Sequence, residues 1–320
     1  MKVLMTNAHL GEGFVEQLQS EFPQVEFHTA ISLEEQLREV ADADVICGWP
    51  DSPEVVSAAA KLRWIHCPGT GIDKIMAELP ALADSDVVLT NARGPHANPM
   101  ADHVLWMMLS LSHRGRQMAE DQRLRQWDAD RYSHSFVELS GGTMGILALG
   151  DIGSAVARRA YGFDMDVYAV DINPVTPPPQ VKEVWGLERL DELMAMCDWF
   201  VVTAPLTAES RGLIDRRRIG LMKPSSYVVV ISRGGIVDED ALADALREGR
   251  LAGAGIDATA IEPLPQESPL WDLDNVVLSP HASALTPQMY EGRRQVFREN
   301  MRRFLSNEPF LYVCNKRAGF

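Results

Sequence analysis

Arg233, Glu262 and His281 each follow a short apolar run of strand-like composition in the second half of the chain. A guanidinium presents a planar fork that matches a carboxylate bidentately. An imidazole titrates near neutrality, and a carboxylate beside it favours the charged ring and fixes its tautomer. Together the three are the parts needed to bind a carboxylic acid and move a proton while a cofactor moves a hydride. Singly, each has a plainer reading: most of the 8 histidines are surface or core residues, a lone glutamate is a solvated loop carboxylate, and a lone arginine is a surface cation. His281 stands out because the run NVVLSP puts it just past the carboxyl end of a strand, where ligands bind in open α/β sheets.

A cofactor signal lies upstream, in Gly145-Ile-Leu-Ala148-Leu-Gly150-Asp151-Ile152-Gly153, where a strand should hand over to a helix. Small residues are needed there because the turn is tight and the backbone must approach a pyrophosphate, whose charge the helix dipole stabilises. Alone, the pattern also fits a glycine turn with no ligand. The strand before it, the helix Ser154 to Tyr161 after it and an acidic residue, Asp171, ending the next strand are the three features that accompany a dinucleotide site. Asp171 can accept from ribose hydroxyls, whereas a 2′-phosphate would meet its charge with no arginine adjacent. The expectation is NAD(H) over NADP(H).

These parts sit in 320 residues, enough for two domains with separate cores. With 46% apolar and 23% charged residues the composition is globular. The formal charge of -15 disfavours nucleic acid and anionic membranes as partners but leaves a small anion open, given local positive potential. Cys47, Cys67, Cys197 and Cys314 are scattered without a C-x-x-C pair, so no metal site or disulfide framework is expected. The opening MKVLMTNAHLGEG lacks the pattern of a secretion signal, and the apolar stretch Val104 to Leu111 is too short to span a bilayer; the expected location is the cytoplasm.

Five β-rich runs, KVLMTN, VEFHTA, ADVICGW, LRWIHC and VVLTNA, alternate with helical segments over the first ninety or so residues. Ser32 with Glu35 makes a capping box, and Ser52-Pro53 and Asn98-Pro99 are cap-and-proline helix starts. The second start opens a long helix through Val104, Met107 and Leu111, with His113, Arg114 and Arg116 towards its end. Trp127 to Ser140 reads as a loop or short helix able to face another subunit. A second series follows: TMGILALG, DVYAVD, WFVVTAP, YVVVISR, GAGIDA and NVVLSPH, all suited to buried parallel strands. Asp238 caps a helix that Gly249 can end, and Pro177 to Pro179 mark a bend. A last helix, capped by Thr286 before Pro287, has no strand of its own and is placed back on the first domain, with two crossings between the domains.

The chain resembles the D-isomer-specific 2-hydroxyacid dehydrogenases, in the glyoxylate/hydroxypyruvate reductase-like branch, almost end to end. The matching pieces are Gly69-Thr-Gly-Ile-Asp73, Asn91-Ala-Arg-Gly, Ala101-Asp-His103, the glycine fingerprint, Ala204-Pro-Leu-Thr207, Ser232-Arg-Gly-Gly-Ile-Val-Asp238, Gly255-Ile-Asp257, Glu262-Pro-Leu-Pro265 and Ser279-Pro-His281. The resemblance implies two doubly wound parallel-sheet α/β domains: a flavodoxin-like substrate domain (1–98 and 285–320) and an inserted Rossmann NAD-binding domain (99–284). It implies His281 as the catalytic histidine, Glu262 as its partner, and Arg233 with the Thr70 and Gly71 loop as holders of the substrate carboxylate. Asp257 would lie beside the nicotinamide. Met100, Ala204, Pro205, Ser210, Ser232 and Ser283 join Ala148, Gly150, Asp151, Ile152, Gly153 and Asp171 on the cofactor side, and homodimers through the cofactor domain are implied. Four residues depart from the family pattern: Ala148 for glycine, Asp102 for glutamate, Ser210 for threonine, and Asp151 where arginine is common.

The reading is therefore an NAD(H)-dependent oxidoreductase of a small anionic 2-oxo or 2-hydroxy acid, its side chain open. Trp49 is a candidate wall of the acyl pocket, with packing as the alternative; Met100 has the same alternative, Asp73 fits a turn equally well, and Asn98 and His96 lie near the expected crossing. Arg216 to Arg218 read as a solvated helix face. The rivals are an NAD(H)-sensing scaffold, for which no basic patch or long tail speaks, and a formate or phosphite dehydrogenase; the formate variant lacks a carboxylate such as Glu262. A methyltransferase would leave the polar trio unexplained.

Overall fold

The computed structural model describes residues 1–6, 10, 11 and 13–320. Asn7, at the end of the first β-rich run, lies outside the described residues. The chain divides into two compact units, Met1–His96 with Leu285–Phe320, and Ala97–Ala284.

The first unit is built on β1 (Lys2–Met5), β2 (Glu26–Thr29), β3 (Val45–Cys47), β4 (Trp64–Cys67) and β5 (Val88–Asn91), in the order β2-β1-β3-β4-β5. Every pair is parallel, which gives the flavodoxin-like order. β3 and β4 are buried at every residue, as continuous apolar runs covered on both faces must be. β2, with Glu26 and His28, takes the exposed edge. Helix α1 covers Phe14–Glu21. The capping box forms at α2 (Leu33–Glu39), where Ser32 accepts from Glu35 N–H and the Glu35 carboxylate reaches back. At α3 (Pro53–Ala58) the proline takes the first helical position, but Ser52 makes no side-chain cap bond; the proline alone fixes that start. A further helix, α4, spans Asp73–Glu78.

The second unit opens with α5 (Ala97–Ser112) and α6 (Gly115–Leu124). α5 starts before the expected cap: a 3-10 turn at Gly94–His96 runs into it, and Asn98 is its second residue. Pro99 is tolerated there because the first N–H groups of a helix have no partner to lose. His113, Arg114 and Arg116 lie not in the end of α5 but in a break at left-handed Arg114 and in α6, which has too few apolar residues to show a clear period. The sheet comprises β6 (Thr143–Leu147), β7 (Asp166–Val170), β8 (Glu183–Trp185), β9 (Trp199–Val202), β10 (Tyr227–Val230), β11 (Gly253–Ile256) and β12 (Val276–Leu278), in the order β12-β11-β10-β9-β6-β7-β8. All pairs are parallel. Six strands match the β-rich runs; β8, a half-polar edge strand past the proline bend, does not announce itself in sequence. Helix α7 (Asp151–Tyr161) follows β6, and α8 (Leu190–Met196) and α9 (Arg216–Ile219) flank β9. Asp238 accepts from Ala241 N–H to cap α10 (Glu239–Arg247). α5 lies directly on β11: a Cβ added to Gly255 would come within 2.9 Å of Met107 Cβ.

From Leu285 the chain rejoins the first unit. Thr286 caps α11 (Pro287–Ser306), and Phe297 on that helix is fully buried, stacked on Trp64 of β4 at 5.6 Å between centroids. All four cysteines are free and buried, and among the described residues no helix is long and apolar enough to cross a membrane.

His66 of β4 lies in this aromatic layer with 0% exposure, its Nδ1 2.9 Å from Thr90 Oγ1 and its Nε2 without a partner among the described residues. Burial lowers its pKa from the ordinary 6.5 to about 3. Between those values the unfolded chain binds a proton that the folded unit refuses, so this contribution is fully present above pH 6.5 and is lost as pH falls towards 3. We expect His66→Phe to flatten the fall of stability with acid across that window, measured by chemical denaturation at stepped pH; an unchanged slope would show that His66 is not the proton acceptor.

Candidate active site

Parallel pairing brings the carboxyl ends of the second unit's strands to one edge of its sheet. Ala148 and Gly150 follow β6, Asp171 follows β7, Ala204 and Pro205 follow β9, Ser232 and Arg233 follow β10, Asp257 follows β11 and His281 follows β12. The direction in which successive strands are added reverses at β6, between β9 and β7, which is the switch point where such sheets bind ligands.

His281 Nδ1 lies 2.9 Å from both carboxylate oxygens of Glu262, and each side chain is 41% exposed. With Nδ1 engaged, Nε2 is the nitrogen left to exchange a proton with a bound molecule. His281 has a left-handed backbone, φ 52°, and its N–H donates to the carbonyls of Asp257 at 2.9 Å and Ser279 at 3.1 Å. Beneath it the Asp257 side chain is wholly buried. Asp257 Oδ1 accepts from Ser279 Oγ at 2.6 Å and Ala282 N–H at 2.9 Å, and Oδ2 accepts from Ser283 N–H at 3.2 Å. Ser279 Oγ also lies 2.8 Å from His103 Nε2 on α5. Burial lowers the His103 pKa, with the Asp257 charge opposing. A cavity of about 590 Å³ opens beside the pair, lined by Glu262, Leu264, Trp271, Leu278, Pro280 and His281 among others.

Arg233 Nη1 donates to the Ser232 carbonyl at 2.9 Å. The next residue must be glycine, because a Cβ on Gly234 would overlap the backbone of Thr259 and Ala260. Thr259 N–H in turn donates to Glu262 Oε1 at 3.1 Å, and Ala260 N–H to Glu239 Oε1 at 2.5 Å. The turn carrying Arg233 therefore packs backbone to backbone on the loop carrying Glu262. Burial raises the Glu239 pKa against hydrogen bonds from the Ala260 and Gly235 amides, with Asp240 and Glu262 adding to the rise.

The residues of the glycine turn fit a dinucleotide. A Cβ on Gly150 would meet no atom within 4 Å, which leaves open space at the N-terminus of α7, whereas one on Gly153 would overlap the Ala148 carbonyl oxygen. One glycine thus leaves room for a ligand and the other lets helix and strand approach. Asp171 Oδ2 accepts from Leu149 N–H and Oδ1 from Asn173 N–H, both at 2.8 Å, which pins the carboxylate beside the turn with acceptor capacity to spare. Ser232 Oγ is buried without a partner among the described residues, as a hydroxyl awaiting a ligand would be. Asp151 is the first residue of α7, where its charge is stabilised by the helix dipole.

Other assigned residues have local roles on view. Ser210 Oγ donates to the Pro205 carbonyl at 2.7 Å and accepts from Thr207 N–H at 2.8 Å, so serine closes that turn without threonine's methyl. Met100 is buried in the core with Ile146 and Leu149, Ile152 packs against that core, and exposed Asp102 pairs with Arg159 at 2.6 Å. In the five-stranded unit, the loop carrying Thr70 and Gly71 starts beside Trp49: a Cβ on Gly69 would lie 3.3 Å from the Trp49 ring, and Asn91 Nδ2 holds the Thr70 carbonyl at 2.6 Å. His96 there is buried, with its Nε2 2.7 Å from Arg293 Nη2. His103, Ser279, Glu239 and Asn91 lie in or near matched motifs that give them no role of their own.

Residues 105–283 match the family model described as D-isomer specific 2-hydroxyacid dehydrogenase, NAD binding domain. The chain belongs to this family. It is 32% identical over 98% of its length to a D-3-phosphoglycerate dehydrogenase of Methanocaldococcus jannaschii, of which it covers 59%. It is also 32% identical over 90% of its length to a glyoxylate reductase of Thermofilum pendens, of which it covers 86%. The chain thus spans about half to three fifths of the phosphoglycerate dehydrogenase relatives it matches. Among solved structures, a family protein from Aeromonas salmonicida aligns with TM-score 0.84 and 26% identity, covering 98% of this chain and 99% of that one. A family member from Xanthobacter autotrophicus in complex with NADPH and MES aligns with TM-score 0.84 and 28% identity, covering 100% and 99%.

Within this family member, Ala148 stands in a left-handed conformation, φ 74°. That conformation costs a non-glycine residue roughly 1–2 kcal/mol, partly offset by the freedom a glycine loses on folding. Ala148→Gly should therefore stabilise the second unit by about 1 kcal/mol, read from its denaturation midpoint; an unchanged or lowered midpoint would show that the turn carries no such strain.

Proposed function

We propose that this chain is an NAD(H)-dependent oxidoreductase that interconverts a small 2-oxo acid and its D-2-hydroxy acid, with glyoxylate and hydroxypyruvate as the substrate class. The observation that carries the reading is the His281–Glu262 pair, 2.9 Å apart, beside a cavity at the carboxyl edge of a cofactor-type sheet. His281 acts through Nε2 as the proton donor to the carbonyl oxygen in reduction and as the acceptor from the hydroxyl in oxidation. Glu262 stabilises the charged ring and holds Nδ1 protonated. Arg233 pairs with the substrate carboxylate and stabilises oxyanion character on the reacting carbonyl. Thr70 and Gly71 supply further amides to the substrate and Trp49 an apolar wall.

The dinucleotide, when bound, exchanges the hydride with the reacting carbon. Gly150, Ile152 and Gly153 give backbone amides and room to its pyrophosphate, and Asp151 belongs to that turn. Asp171 accepts from the ribose hydroxyls and repels a 2′-phosphate, which favours NAD(H) over NADP(H). Ala148, Met100, Ala204, Pro205, Ser210, Ser232, Asp257 and Ser283 line or shape the same site. The glyoxylate reductase relative, covered over most of its length, supports the substrate class. The family relationship and a surface depression of about 630 Å³ lined by Leu105, Trp106, Leu109 and Phe163 support a homodimer through the cofactor domain. A cytoplasmic location belongs to the same proposal.

A panel of 2-oxo acids, including glyoxylate, hydroxypyruvate and phosphohydroxypyruvate, followed at the NADH absorbance band in parallel with NADPH, tests the reading. NADH-dependent reduction of the first two is expected, with kcat lowered on the order of 10²–10⁴-fold in His281→Asn. Negligible turnover of every acid, or full activity in the variant, would overturn it, and a marked preference for NADPH would overturn the role of Asp171.

A further inference from the structure

We propose that His103 is a positioning residue for His281, acting as an Nε2–H donor through Ser279 to the buried Asp257 carboxylate. The inference rests on the reading of His281 as the proton donor and extends it to a residue on a different element, α5. Ser279 Oγ has one proton, and at 2.6 Å it goes to Asp257 Oδ1. Towards His103 Nε2, 2.8 Å away, the same oxygen therefore accepts, so the ring proton of His103 sits on Nε2. Burial favours the neutral ring over the charged one, against the Asp257 charge.

The placement follows from the packing of α5 on β11. Met107 abuts Gly255, which brings His103, one turn earlier on the same helix face, over Asp257, two residues past Gly255. His103 is also held by its ring contact with Trp106, 4.7 Å between centroids. Asp257 fixes Ser279, Ala282 and Ser283 by side-chain hydrogen bonds and His281 through its own carbonyl. Those bonds hold His281 at φ 52°, a conformation that persists only when its surroundings over-determine it. Removing the His103 donor leaves the Ser279 hydroxyl free to turn from Asp257, and the strained residue loses one of its restraints.

Two readouts test this. In the wild-type protein, long-range ¹H–¹⁵N NMR of the imidazoles at neutral pH should show His103 as the Nε2–H tautomer. In kinetics with the 2-oxo acid that the wild type reduces fastest, His103→Ala should lower kcat on the order of 10- to 100-fold with NADH affinity and thermal midpoint near wild type, and Ser279→Ala, which also strips a donor from the buried Asp257 carboxylate, should lower kcat by as much with a lowered midpoint. His103→Gln, whose amide N–H can reach Ser279 Oγ, should restore most of the rate. An Nδ1–H tautomer, wild-type kcat in both alanine variants, or a parallel loss of rate, NADH affinity and stability that glutamine does not rescue would overturn the inference. None of these touches the role of His281 itself, which fails separately if His281→Asn stays active.

Discussion

A carboxylate cut off from water must find donors, and Asp257 finds three, all in the segment after β12. That requirement shapes the site. To bring a serine hydroxyl and two successive amides onto one buried carboxylate, the backbone folds round it, and His281 between those donors takes a left-handed turn. The imidazole is thereby aimed at Glu262, whose own oxygen is fixed by the Thr259 amide. A polar group that never meets solvent thus dictates where a half-exposed imidazole stands.

The parallel sheet supplies the ends from which these side chains project, and three glycines set how closely the elements approach. Gly234 lets the arginine turn lie on the Thr259–Ala260 backbone, Gly153 lets α7 descend onto β6, and Gly255 lets α5 sit on β11. At each of the three a methyl group would displace an element that carries or braces the site. The geometry of the candidate site and the packing of the core are in this sense the same constraint.

Much of this is legible in the sequence where chemistry is local. Apolar runs mark all the central strands, and the caps at Ser32, Asp238 and Thr286 form as their spacing indicates. The half-polar edge strand β8 and the polar helix α6 carry weak periodicity and stay hidden, and Asn98 looks like a cap because the 3-10 turn that precedes α5 has no sequence signature. In the candidate site, Arg233 and His281 declare themselves just past strand ends, and Glu262 in the loop after β11. His103 and Ser279, 176 residues apart, meet only through the packing of α5 on the sheet, and no spacing rule connects them. Glu239 is hidden for a related reason: it reads as a first-turn helix acid, yet its carboxylate holds the Ala260 amide 21 residues away.

The central claim is that the imidazole and its carboxylate work as one proton-transfer unit. A double-mutant cycle on kcat with His281→Asn, Glu262→Gln and the pair measures this most directly. If the two act as a unit, the double variant will be no slower than His281→Asn alone. Losses that multiply would show independent roles and would contradict the account.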